Sequence, residues 1–155
     1  MDRSGRVRKV AVVLLCVFAL PALAAEKLTD DRLMKLELEL TGKRPAQQFQ
    51  LIEPWLMTDG ERIQPLVLKV FRHAKTLPLE YQQKLVAALI RHPHPDALTP
   101  AVSIVDHENV DLARAVVKLI ARSGHKRAEK ELIDFFRRTK NPLLRMDVLT
   151  ALRDG

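Results

Sequence analysis

Residues 81–93 (YQQKLVAALIRHP), 112–124 (LARAVVKLIARSG) and 143–155 (LLRMDVLTALRDG) lie one above another at a constant offset of 31. Val86, Val117 and Val148 share a column, as do Leu89, Ile120 and Ala151, and also Arg91, Arg122 and Arg153; the column of Leu85 and Val116 breaks at Asp147. The segments after the first two copies keep the offset, with His94 above His125, Ala97 above Ala128, Val102 above Ile133, Ile104 above Phe135 and Val105 above Phe136. An earlier stretch, residues 65–70, matches residues 100–105 at an offset of 35, so about four residues are inserted there. Helical spacing within each copy, and recurrence in pairs, predict an all-α chain whose helix pairs stack in a row instead of closing into a bundle.

Local signals agree. Leu33, Leu36 and Leu40 are spaced for one helical face, Thr29 is placed to cap that helix, Asp30 and Asp31 suit its first turn, and Gly42 stops it. A second helix is expected from Pro45 towards Met57, disturbed at Pro54, with Thr58, Asp59 and Gly60 as a turn. Further helices are expected at 61–75, 79–91, 97–106, 110–123, 126–138 and 142–153, with Pro65 and Pro100 near helix starts. The run His92, Pro93, His94, Pro95 is the sharpest break, because each proline pushes its predecessor out of the helical region.

Asn141, Pro142, Leu143, Leu144 and Arg145 ahead of Ala151 and Leu152, and residues 106–109 (DHEN) ahead of Arg114, resemble the inter-repeat turn and first helix of HEAT-like repeats of the short variety. The resemblance covers residues 61–155 and implies a right-handed α-α superhelix of stacked helix pairs. It also implies a polar ladder linking neighbouring repeats, with Asn109 and Arg114, then Asn141 and Arg145, in the ladder positions; Gln83 departs from that pattern. Tetratricopeptide repeats fit worse, because their period is 34 and their signature aromatic pattern is absent. Residues 26–60 show no matching repeat and are expected to form an N-terminal cap. The last copy ends after a first helix, so that helix is expected to be a cap, to continue into further chain or to be covered by a partner, with Met146, Val148 and Leu149 available for burial.

The N-terminus reads as an address. Arg3, Arg6, Arg8 and Lys9 precede an apolar run over residues 10–20, and residues 21–25 (PALAA) offer a small-residue cleavage site near Ala24 or Ala25. The run is short for a membrane span, which needs about 20 residues. No two of these arginines are adjacent, and Leu15 before a mid-run Cys16 does not suit a lipoprotein signal. Residues 1–25 are therefore read as a secretory signal peptide, giving a periplasmic or secreted protein with no stable membrane span after cleavage.

That reading changes the charge. The whole chain of 155 residues has 26 Lys+Arg against 19 Asp+Glu, a formal net charge of +7; removing the signal leaves 22 against 18. Residues 26–60 then hold 5 basic and 7 acidic groups, and residues 61–155 hold 17 and 11. With Cys16 gone, disulfides, thiolate metal sites and a cysteine nucleophile are all excluded. A hydrophobic content of 47% excludes collagen-like, mucin-like and charge-rich disordered chains.

Candidate chemistry is sparse. His92, His94 and His125 invite a metal reading, but equivalent turns of adjacent repeats lie roughly 10 Å apart, too far for one ion at bonds of about 2.1 Å. Ser103 and Ser123 lie outside nucleophile motifs, Glu37 and Glu39 point different ways on one helix, and Asp106, Glu108 and Asp111 read as turn and cap residues. No enzyme, cofactor or metal is expected. If second helices line a concave face, as the resemblance implies, its basic candidates are Arg62, Lys69, Arg72, Lys126, Arg127, Lys130 and Arg137. The helix between them is uncharged and aromatics are few, so nucleic acid is not expected. The expected function is that of an exported adaptor or scaffold whose partner is a protein, suited by an acidic surface, or an anionic envelope polymer. The alternatives are an inhibitor or immunity-type protein and a metal-dependent envelope protein using the turn histidines.

Overall fold

The computed structural model describes residues 27–154, and the expected signal peptide lies outside them. The described chain is all-α: eight α-helices joined by turns, three of them tightened into single 3-10 turns, with no strand among the described residues.

The first helix, α1 (Asp30–Leu40), starts where Thr29 accepts the Arg32 N–H on its side chain and ends before Gly42, whose φ of 75° closes the turn in the left-handed region. Pro45 opens α2 (Pro45–Ile52). Pro54 cannot donate to the carbonyl four residues back, and the chain tightens into a 3-10 turn over Glu53–Trp55. Next comes α3 (Gly60–Phe71), with its own 3-10 turn at Ala74–Thr76 where a longer helix was expected. Pro65 is the sixth residue of α3, one place further in than expected; Pro65 and Glu61 are both exposed, so the interrupted bond lies on the solvent side.

Next come α4 (Leu79–Arg91), the short α5 (Leu98–Ile104), α6 (Val110–Arg122), α7 (Ala128–Arg138) and α8 (Pro142–Asp154). α5 is shorter than expected: a 3-10 turn over Pro95–Ala97 precedes it, and the chain leaves the helix at Val105 and Asp106. α4 contacts α6 and α6 contacts α8, while consecutive helices from α5 to α8 also pack on one another.

One apolar core runs through the described chain, from Leu28, Leu36 and Phe49 to Phe135, Leu144 and Val148. The aligned columns mark its lining. Leu85, Val116, Val86, Val117, Val148, Leu89 and Ile120 are all buried, and Arg91, Arg122 and Arg153 are exposed. Phe49 stacks on half-buried Tyr81 with ring centroids 4.1 Å apart, and half-buried Trp55 packs against the same core. No helix among the described residues is long and apolar enough to cross a membrane.

Candidate functional site

Polar side chains tie helices together at a recurring separation along the chain. Lys84 on α4 binds Glu53 at 2.6 Å, 31 residues back, and also Glu80 on its own helix at 2.6 Å. Arg62 on α3 pairs with Asp30 on α1, Arg138 on α7 with Asp106 after α5 at 3.1 Å, and Arg114 on α6 with Asp147 on α8 at 2.7 Å. Gln50 bonds the Tyr81 hydroxyl across 31 residues, and the Leu28 N–H donates to Asp59 across the same distance. Glu53 and then Glu80 hold the Lys84 ammonium well above the ordinary lysine range, and Asp147 raises Arg114 in the same sense.

These ties replace the ladder implied by the resemblance. Asn109 accepts the Leu112 N–H at 2.9 Å and Asn141 accepts the Leu143 N–H at 3.0 Å, so both amides cap their own helices. Arg114 does reach the neighbouring helix, but its partner is Asp147 and not Asn109. Arg145 lies over the Phe136 ring, 4.1 Å from its centroid, and not against Asn141. A short amide that caps its own helix is spent there, whereas a carboxylate a full helix pair away remains available to a long cation.

The basic candidates divide in two. Arg62 is taken by Asp30, Arg127 by Glu131 at 2.6 Å, and Lys130 and Arg137 both by Asp134. Among the described residues Lys69, Arg72 and Lys126 have no carboxylate within 4 Å. The sequence holds the signal that finds the cross-helix pairs: acid and base 31 to 33 residues apart.

Three of the five histidines share one local device. Nδ1 of His94 accepts the Asp96 N–H at 3.1 Å, Nδ1 of His107 accepts the Asn109 N–H at 3.0 Å, and Nδ1 of His125 accepts the Arg127 N–H at 3.1 Å. Each ring therefore closes the turn that follows it, in the manner of an aspartate or asparagine at a helix start. His92 packs against Gly60, and its carbonyl accepts from Gln64 at 2.7 Å. The hydroxyls of Ser103 and Ser123 donate to the Pro100 and Ile120 carbonyls three residues back. Among the described residues no three His, Cys, Asp or Glu side chains converge as a metal site would require.

Several concavities lie on the described surface, among them one of about 610 Å³ beside α1 that Lys69 lines and one of about 340 Å³ that Lys126 lines. A groove of about 550 Å³ runs between α6 and α8, floored by Ala115, Ala121 and Ala151 and edged by Lys118 and Arg122. A cleft of about 510 Å³ lies over α5, with Arg72 on one side, His125 on the other, and Asp96, Thr99 and Ser103 between them. Comparison with known protein families, with curated proteins and with solved structures gives no match.

Proposed function

We propose that this chain is a short right-handed α-α superhelix, similar to HEAT-like repeats, which acts after export as a non-catalytic adaptor binding an acidic protein partner. In this reading residues 26–60 cap the stack and residues 61–155 supply the repeats. The observation that carries it is the recurrence of cross-helix ties at 31 to 33 residues, close to the 31-residue offset of the sequence; Arg138–Asp106 and Arg114–Asp147 lie within residues 61–155, and Arg62–Asp30 and Lys84–Glu53 join them to the preceding helices. Such a stack offers an extended surface without needing catalytic groups. The engagement of the His94, His107 and His125 imidazoles and the Ser103 and Ser123 hydroxyls in local turn bonds supports a binding role over a catalytic one. The basic, apolar, small-residue order of residues 1–25 supports export.

The test is crosslinking in the native host with photoreactive residues on α3, α5 and α7, followed by reconstitution with the purified partner. The expected result is one macromolecule recovered from the exported fraction that binds the purified protein at fixed stoichiometry. Recovery of no such partner, or turnover of a small molecule by the purified protein, overturns the reading.

A further inference from the structure

We propose that the cleft over α5 is an acidic-peptide site, in which Arg72 and His125 bind the carboxylates of an extended partner segment; this rests on the adaptor reading above. α5 has the sequence LTPAVSI and carries no charge, whereas α3 ends in Lys69 and Arg72 and α7 is rich in charge. The outcome is a neutral floor with polar walls, about 510 Å³ in volume.

The walls are donors. Arg72 caps the end of α3, is exposed, and has no carboxylate of this chain within 4 Å, unlike Arg62, Arg127, Lys130 and Arg137. Its guanidinium is a planar fork suited to two carboxylate oxygens at once. His125 has Nδ1 committed to the Arg127 N–H, which leaves its ring proton on Nε2 as a donor. Lys126 follows directly but lines a separate concavity with Ala151 and Leu152, so Arg72 is the unpaired cation of this cleft. Free positive charge therefore remains beside α5, while the neighbouring helices neutralise most of theirs internally.

The floor selects among anions. Ser103 donates its proton to the Pro100 carbonyl at 2.7 Å, so its oxygen is left to accept. Asp96 also lines the cleft as an acceptor and repels a bare anion. An extended acidic peptide satisfies both kinds of wall, because its side chains bring carboxylates to Arg72 and His125 while its backbone N–H groups donate to Asp96 and Ser103. Inorganic phosphate brings the charge without enough donors for that second set.

The purified protein is titrated with a decaglutamate peptide and, separately, with inorganic phosphate, following backbone amides by NMR. The expected result is that the peptide shifts the amides of residues 96–103 and 125–127, and that Arg72→Glu weakens it about tenfold. Lys140→Glu, with the same change in net charge at the other end of α7, is expected to stay within about twofold. Thr99→Val, which alters the floor without touching charge, is expected to weaken the peptide and leave the circular dichroism unchanged. Equal weakening by Arg72→Glu and Lys140→Glu, equal shifts with phosphate alone, or no peptide binding each overturn the proposal. The two readings fail separately: a crosslinked partner indifferent to Arg72→Glu overturns the cleft and leaves the adaptor, whereas Arg72-dependent peptide binding with no partner recovered from the host does the reverse.

Discussion

Arg114 grips Asp147 with two nitrogens, Nε to Oδ2 at 2.7 Å and Nη2 to Oδ1 at 3.3 Å, and so joins α6 to α8. Asp147 is the one residue that breaks the apolar column of Leu85 and Val116, and this bond is the reason. A side chain only 26% exposed would otherwise leave a carboxylate half-desolvated without a partner. A double-mutant cycle of Arg114→Ala and Asp147→Ala is expected to show favourable coupling at about 0.1 M salt and little at about 1 M, where screening shortens from about 10 Å to about 3 Å. Coupling that does not respond to salt would mean that the pair contributes through packing instead.

Gly60 and His92 meet so closely that any side chain at position 60 requires the His92 ring to shift. An ideal Cβ there falls 2.5 Å from the His92 Nε2. Gly60→Ala is expected to cost about 1–2 kcal/mol in urea unfolding, as overpacking does. In a His92→Ala background the same change should cost nothing or stabilise, since the clash is gone and alanine favours the helix. An unchanged cost there would place the strain elsewhere.

The imidazole turns can be tested by replacement with a shorter acceptor. His94→Ala and His125→Ala each remove one bond to a backbone N–H and are expected to cost about 1 kcal/mol. His94→Asn and His125→Asn keep an acceptor that closes the same turn and should cost under about 0.5 kcal/mol. If asparagine performs no better than alanine, the rings matter through packing and not through Nδ1.

Positions 31 residues apart in the sequence differ in burial, and stability should follow the burial. Leu112 is 1% exposed and Leu143, 31 residues on, is 57% exposed. Leu112→Ala is expected to cost about 2–5 kcal/mol and Leu143→Ala under about 0.5 kcal/mol, read from the urea midpoint at constant slope. Similar costs at both sites would show that α8 is covered in solution.

The helices were legible because their signals are local. Thr29 as a cap, Gly42 as a stop, the break at Pro54 and the full span of α4 all follow from side chains acting within four residues. The misreadings share one cause, competition between local devices. α3 starts within one residue of its expected start and carries Pro65 in its second turn, because the buried face of Ile63, Leu66, Val67 and Val70 outweighs one lost bond on the solvent side; it ends four residues early, before the 3-10 turn at Ala74–Thr76. The basic residues were readable as a set, but which of them stay free depends on Asp30, Glu131 and Asp134 reaching them. The ladder asparagines fail for the reverse reason, since their nearest unsatisfied N–H lies two or three residues away, in their own helix.

Every polar side-chain bond among the described residues spans 33 residues or fewer, and the principal helix contacts reach no farther than the next helix but one. Cooperativity is therefore expected to pass from neighbour to neighbour along the one apolar core. Melting should begin by fraying at the ends, and the middle of the chain, α4 to α6, should be the last to exchange its amide protons.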